Sequence, residues 1–441
     1  MAEDVLRVRG LTTRYFTAEG QINAVEDVSF DLRDGEVFGI VGESGSGKSV
    51  TGRSIIDLIE SPGRIVDGEI WYRNADLAER LAGNADVAVD GDFVDLRTVS
   101  QRERDRLRGT AFSMVFQDPL TSFNPSLTVG EQIAEAVESE QRASANPRST
   151  RARTNDYGML SFLVDTVDPR GGYVSQASKD RAVELLAEVD IPDPARRAEE
   201  YPHQFSGGML QRAMVAQALA VEPDVLVADE PTTALDVTIQ AQLLELLSDI
   251  QDETGMSILL ITHNLGVIAR LARRIGVMYA GEIVERGRRE DVLQRPANPY
   301  TQGLLDSIPR MDGDADERDA LEPIGGNVPS LNDAELGDHC YFADRCPKQE
   351  RECLEHKPEE RSVPGEPNHQ ARCILVDRGA TQDSDDGGTV TPDEGDAPSP
   401  GASGTGGEPD ADGSEGDGSP AGVPDADPAP VEERADGGTR R

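Results

Sequence analysis

The chain has 441 residues, enough for two or three domains, and a hydrophobic content of 37% supports a core over most of its length. Its 83 acidic against 43 basic residues leave a formal net charge of −40, which argues against a nucleic-acid partner, since phosphate contacts need clustered cations. No apolar run reaches the roughly 18 residues of a membrane span, and the first residues lack a secretory apolar stretch. A soluble, intracellular chain is expected, with any membrane role passing through a partner.

Apolar–polar alternation over residues 5–16 and 25–32 predicts two strands, and the apolar run 36–41 a buried third. That run leads into Gly42-Glu43-Ser44-Gly45-Ser46-Gly47-Lys48-Ser49, which satisfies G-x-x-x-x-G-K-[ST] in full, with a helix expected over 50–59. The glycines let backbone N–H groups wrap phosphates, Lys48 brings a cation to the β- and γ-phosphates, and the Ser49 hydroxyl suits Mg²⁺. Residues 68–72 read as a short strand, and the polar, acidic stretch 74–100 as an insertion in a surface loop. A strand over 110–116 ends at Gln117. Residues 138–178 read as a second polar insertion, followed by a helix over 179–189.

The densest chemistry lies in residues 206–236, SGGMLQRAMVAQALAVEPDVLVADEPTTALD. Ser206, Gly207 and Gly208 open a helix over 209–221, and free N–H groups at a helix N-terminus attract anions. Pro223 stops that helix. The apolar run 225–228 predicts a buried strand ending in Asp229 and Glu230, two carboxylates placed for metal and water chemistry. A helix over 237–250 follows Asp236. A buried strand over 257–261 then precedes Thr262 and His263, with a helix over 266–272 and strands at 275–278 and 283–284. Strands alternating with helices predict an α/β core with a parallel sheet.

These motifs together resemble ABC-type ATPases: Ser206-Gly207-Gly208 the signature, 225–230 the Walker B strand, 233–236 the D-loop, and Met114-Val115-Phe116-Gln117-Asp118-Pro119 the Q-loop. The resemblance implies a P-loop NTPase of ABC type over residues 1–290, with an antiparallel β subdomain and a helical signature subdomain formed with residues 132–137. It implies ATP and Mg²⁺ as cofactors. Gln117 would sense the γ-phosphate and reach Mg²⁺, Asp229 would hold the metal through water, Glu230 would orient or deprotonate the attacking water, and His263 would bridge it to the γ-phosphate. An aromatic ring, Tyr15 or next Phe16, would stack on adenine. The signature and Asp236 would face ATP bound to a second ATPase subunit. Met209 and Phe205 stand where glutamine and leucine are commoner in such proteins, and His203 reads as structural.

Residues 120–132, 293–309 and 323–331 resemble ATP-binding subunits of oligopeptide and dipeptide ABC importers. Such a subunit is a motor on the cytoplasmic face of the membrane, held peripherally by two integral-membrane permeases and served indirectly by an external substrate-binding protein. Its ATPase partner is identical or different. Nickel or sugars are the alternative cargo; a soluble ABC ATPase of translation or DNA repair is a more distant reading.

All four cysteines fall in a C-terminal extension, 291–373, expected to be small and irregular, as Cys340-x5-Cys346-x6-Cys353-x19-Cys373. Clustered thiols in a reducing compartment favour a metal site over disulfides. Zinc and a [4Fe–4S] cluster both take four thiolates, but the wide, unequal gaps depart from paired zinc knuckles and fit a cluster better. The importer resemblance implies the same cluster. Residues 374–441 are rich in Gly, Pro, Ser, Asp and Glu and are expected to be a disordered acidic tail. The tail carries about −13 of the charge, leaving about −27 on the rest. With only Lys48, Lys179, Lys348 and Lys357 as lysines, the chain resembles proteins of salt-loving archaea.

Overall fold

Strands in the first hundred residues build an antiparallel sheet whose alternating side chains point into the core. In the computed structural model, the described residues are 3–145, 174–233, 235–307, 324–332 and 336–376. The described residues all belong to one compact unit. The expected acidic tail beyond Val376 lies outside the described residues.

The antiparallel sheet starts with β1 (Asp4–Thr17) and β2 (Gly20–Arg33). The next strand, β3 (Val37–Val41), is buried on both faces and joins a different sheet. Strands β4 (Gly63–Arg73), β5 (Val89–Asp90) and β6 (Phe93–Asp95) complete the first sheet in the order β2-β1-β4-β6-β5. The second sheet adds β7 (Phe112–Val115), β8 (Val225–Asp229), β9 (Ser257–Thr262), β10 (Arg274–Tyr279), β11 (Glu282–Arg288), β12 (Glu360–Val363) and β13 (Glu366–Arg372). Its order is β12-β13-β11-β10-β3-β9-β8-β7. The run from β10 to β7 is parallel, and β11, β13 and β12 extend it antiparallel.

Between the sheets lies one apolar layer, including Leu6, Val8, Ile40, Ile70, Val227 and Leu259. Phe30 and Phe38 stack across it with centroids 5.0 Å apart. On its other face the parallel sheet packs against helices, and this second cluster continues into the helical subdomain through Ile133, Leu185, Leu210 and Met214. That subdomain comprises helices Val129–Ala145, Gln176–Glu188, Pro194–Ala198 and Gly207–Leu219. Among the described residues no helix is long and apolar enough to cross a membrane.

Three sequence expectations are corrected here. Residues 74–100 are not a plain surface loop. Asn74 caps a helix, Ala75–Leu81, by accepting from the Leu77 N–H at 2.9 Å, and β6 pairs with β4 so that Val94, Leu96 and Val99 are buried. Elements of two to seven residues are too short to show a period. The second insertion is shorter than 138–178, because helices Val129–Ala145 and Gln176–Glu188 occupy its two ends. Residues 146–173 lie outside the described residues. The polarity at residue 138 reflects a buried clamp: Glu138 accepts from the Ser178 hydroxyl at 2.7 Å, the Ser175 N–H at 3.1 Å and Arg142 at 2.9 Å. Finally, the C-terminal extension is not wholly irregular. Its β13 pairs with β11, placing Ala371 opposite Glu285, so it continues the second sheet.

Candidate functional site

Parallel pairing brings the chemistry together. Val41 pairs with Thr262, and Asp229 with Ile261, so β3, β8 and β9 end at one level and the segments after them meet.

In the loop after β3, close backbone approach demands glycine at two positions. A Cβ on Gly42 would lie 2.0 Å from the Met278 carbonyl oxygen. One on Gly47, at φ 100°, would lie 2.2 Å from that of Ala24. Gly47 then starts helix Lys48–Ile55, earlier than the expected residue 50. That helix ends earlier too, since Asp57 adopts a positive φ of 55°. The Lys48 ammonium is buried and donates to the carbonyls of Gly42 at 2.9 Å and Glu43 at 2.7 Å. Burial lowers its pKa against the raising pull of Glu230, Asp229 and Glu43.

The Ser49 hydroxyl donates to Asp229 Oδ1 at 2.7 Å. Asp229 is fully buried, and burial raises its carboxyl above the usual range despite the Ser49 bond and Arg53. Among the described residues its Oδ2 is a buried oxygen without a hydrogen-bond partner, the Arg53 guanidinium lying 4.0 Å away. An orphaned carboxylate oxygen beside a serine hydroxyl fits an oxygen-loving dication such as Mg²⁺.

Glu230 leaves the strand with φ 49°, a left-handed conformation costly for a glutamate and typical of strained functional positions. Its carboxylate is a hub. Thr233 Oγ1 donates to Oε2 at 2.7 Å, Gln117 Nε2 donates to the same oxygen at 3.2 Å, and His263 Nδ1 lies 3.1 Å from Oε1. Burial pushes this carboxyl up, but Thr233, His263 and Lys48 outweigh it and hold it below the usual range. A half-buried carboxylate that is ionised and oriented on both oxygens can position or deprotonate a water.

Gln117 donates to Glu230 but, among the described residues, makes no hydrogen bond to the Ser49–Asp229 pair. Other expected residues stand apart from this hub. Ser206 caps the helix Gly207–Leu219 by accepting from the Met209 N–H at 3.3 Å, and no side chain lies within 4 Å of a Cβ placed on Gly207. Among the described residues, no hydrogen bond joins Ser206, Gly207 or Gly208 to the phosphate loop or to Glu230. Asp236 caps the next helix, Val237–Thr254, accepting from Thr238 and Ile239 at 3.0 Å each. Tyr15 packs against Gly63, and Phe16, 38% exposed, lies under the Arg64 guanidinium at 4.1 Å. His203 is exposed and stacks on Tyr201.

The sequence reading missed three residues. Thr233, three after Glu230, carries a local signal in the spacing that lets its hydroxyl turn back on the carboxylate. Tyr300 and Arg345, both in the extension, reach Glu43 of the phosphate loop and carry none.

The four cysteines are all free thiols and gather around one another: Cys340 feels the charges of Cys353, Cys373 and Cys346, and Cys373 those of Cys346 and Cys353. The Cys340 N–H donates to the Cys353 carbonyl at 2.9 Å. Burial, then the neighbouring thiols, pushes Cys340 to about 12 and Cys373 to about 11. Among the described residues, however, no group of three or more Cys, His, Asp or Glu forms a metal-holding arrangement.

The phosphate loop, the Ser49–Asp229 pair and the Glu230 hub define an ATP-hydrolysing P-loop protein. Residues 25–233 match the family model for ABC transporters, and residues 284–353 that for the oligopeptide/dipeptide transporter C-terminal region. The Bacillus subtilis "Dipeptide transport ATP-binding protein DppD" is 42% identical, the match covering 86% of this chain and 96% of the relative. The protein of the same name from Haemophilus influenzae is 40% identical over 80% and 91%. A "Probable peptide ABC transporter ATP-binding protein" from Sinorhizobium fredii is 40% identical over 84% and 95%. The chain therefore belongs to the ATP-binding subunits of dipeptide and oligopeptide ABC transporters, and its fold is that of an ABC-type P-loop NTPase. It is the ATP-hydrolysing motor subunit of a peptide importer.

Proposed function

We propose that the chain works as half of a pair of ATPase subunits, identical or different, on the cytoplasmic face of a membrane, seated on two integral-membrane permeases that receive peptide from an external binding protein. One observation carries the catalytic reading: the Glu230 carboxylate, held ionised by Thr233 and His263 beside Lys48, Ser49 and Asp229. Lys48 and the N–H groups of residues 42–49 bind the phosphates, and Glu230 takes or orients the proton of the attacking water while His263 steadies it. Ser49 and Asp229 would hold Mg²⁺, which when bound neutralises phosphate charge. Gln117, touching Glu230, would sense the γ-phosphate and reach Mg²⁺ or the attacking water. Tyr15 is our choice for the adenine face. The exposed Ser206 and Gly207 at a helix N-terminus, with no phosphate-loop contact in their own chain, support a role capping ATP on the opposite subunit, with Gly208 and Asp236 beside them.

Replacing Glu230 by Gln tests the catalytic reading. Nucleotide binding should persist while turnover falls by at least ~100-fold, the range for a positioned base. ATP should also trap a dimer visible by gel filtration. Near-normal hydrolysis would remove Glu230 from the role.

Two finer readings accompany this one. The four free cysteines, Cys340, Cys346, Cys353 and Cys373, match by type and number the donors of a structural [4Fe–4S] cluster, with Zn²⁺ as the alternative. Anaerobically purified protein should be brown, and Cys346→Ser should bleach it; colourless protein with one zinc would sink the cluster. The surplus of acidic residues outside the tail supports a salt-loving host. The melting temperature should then climb steeply up to molar KCl, where the Debye length falls to about 3 Å, and a flat profile would end this reading.

A further inference from the structure

Glu43 is the second residue of the phosphate loop, and every polar group it owns is engaged. Its carbonyl oxygen accepts from Lys48 Nζ at 2.7 Å. Its N–H donates to the Tyr300 hydroxyl at 3.0 Å. Its carboxylate takes both arms of the Arg345 guanidinium, at 2.8 Å and 3.0 Å. One partner is the phosphate-binding lysine; the other two belong to the C-terminal extension, 257 and 302 residues away.

The extension is itself fixed where it makes these contacts. The Arg345 side chain is 6% exposed and has no freedom left: Nε donates to the Gly325 carbonyl at 2.9 Å and NH1 also to the Tyr279 hydroxyl at 3.2 Å. Tyr300 is fully buried, packed between Tyr279 and Phe342 at 4.5 Å and 5.4 Å. Tyr279 closes β10, next to Met278, whose carbonyl oxygen abuts Gly42. The extension thus bears on the loop at Glu43 through one buried tyrosine and one ionic contact.

The peptide plane of Glu43 decides where its carbonyl points, and that carbonyl is one of two that aim the Lys48 ammonium. A forked Arg–carboxylate pair fixes orientation as well as distance, which a single point charge cannot do. We infer that Arg345 and Tyr300 are positioning residues for ATP binding, holding Glu43 so that the phosphate loop and Lys48 are preorganised for the β- and γ-phosphates. The peptide-importer extension would then be a working part of the nucleotide site. This rests on the ATPase reading above.

A double-mutant cycle on the full chain tests it, with equilibrium binding of MgADP and a non-hydrolysable MgATP analogue, and AMP as a control lacking the β-phosphate. Wild-type chain that binds neither MgADP nor the analogue would refute the ATPase reading itself. Given wild-type binding, Arg345→Gln should weaken MgADP on the order of tenfold, the scale of a charged hydrogen-bonded contact. AMP should be unaffected. Glu43→Gln should do the same, and the double variant should be no worse than either single one. Arg345→Lys, which keeps the charge but loses the fork, should recover only part of the affinity, and Tyr300→Phe should cost about threefold, as for one neutral hydrogen bond. Unchanged MgADP affinity in folded Arg345→Gln would overturn the inference. So would effects of the two single substitutions that simply add, or equal losses for AMP and MgADP. If Arg345→Gln does not fold, Glu43→Gln, altered at a surface-reaching carboxylate, reports the same pair from the other side, and wild-type MgADP affinity there would likewise overturn it.

Discussion

The phosphate loop and the C-terminal extension press on each other at Glu43, yet they hold their shapes by different forces. The loop is fixed by backbone sterics: Gly42 and Gly47 sit where carbonyl oxygens leave no room for a Cβ. The extension is fixed by buried charge. His369, fully buried, lies between Glu285 at 2.6 Å and Glu366 at 2.8 Å, Arg286 pairs with Glu360 at 2.8 Å, and Lys357 with Glu282 at 2.6 Å. The contrast teaches where each region is vulnerable. At its glycines, a loop shaped by contact distance fails when an atom is added, and that failure is indifferent to pH. A region held by buried ions fails when a partner is removed or a proton is lost.

The largest effect should come from breaking the charge side. Besides His369, Glu285 accepts from the N–H groups of Ala297 at 2.8 Å and Asn298 at 3.0 Å. Glu285→Ala would strand all three donors in the core, costing about 3–5 kcal/mol. Chemical denaturation and amide exchange in β11 and β13 should both show the loss; unaltered protection would mean that charge does not hold the extension. In the wild type, burial lowers the His369 imidazole, but the bonds to Glu285 and Glu366 outweigh it and raise the pKa above its ordinary 6.5. Its contribution is therefore complete below about pH 6.5 and disappears as pH rises through the folded value. Protection factors in β13, corrected for the intrinsic rise of exchange with pH, should fall over that interval in the wild type and not in the variant.

Breaking the backbone side comes next. Gly42→Ala forces a methyl against the Met278 carbonyl, 2.0 Å away, and overpacking of up to about 3 kcal/mol should weaken MgATP binding about 100-fold. Calorimetry at two pH values should give the same ratio, whereas a pH-dependent ratio would blur the contrast between the two regions.

The smallest effect concerns Glu138, in neither region. Although burial raises its carboxyl, bonds from Ser178 and Ser175 outweigh this and bring it to about 2. A depressed carboxyl stabilises above its unfolded value and loses that contribution as pH falls from about 4.5 to about 2. After solvent screening this amounts to about 1–2 kcal/mol. Glu138→Gln should flatten the acid limb of the stability curve between those values; an unchanged limb would show the clamp to be weak.

The same division explains what could be read from the sequence. Gly42 to Ser49, Asp229 with Glu230, His263 and Ser206 to Gly208 are local runs, and their strands are apolar enough to place them, so these residues were legible in the sequence alone. The Thr233 contact and the left-handed backbone at Glu230 were not, because they depend on how one turn leaves β8. The Arg345–Glu43 pair spans 302 residues and follows no period, so only folding reveals it. Residues 74–100 hid a helix and two strands because their few buried side chains, Val94, Leu96 and Val99 among them, are spread over elements too short to show a pattern.

The Glu138 clamp has a use in protein engineering. It ties helix Val129–Ala145 to Ser175 and Ser178 across the two ends of residues 146–173. Doubling the chain between two fixed anchors adds only about 0.6 kcal/mol of closure entropy. A fluorescent or affinity module inserted between the two helices that the clamp joins would therefore add little closure cost and be carried by the helical subdomain.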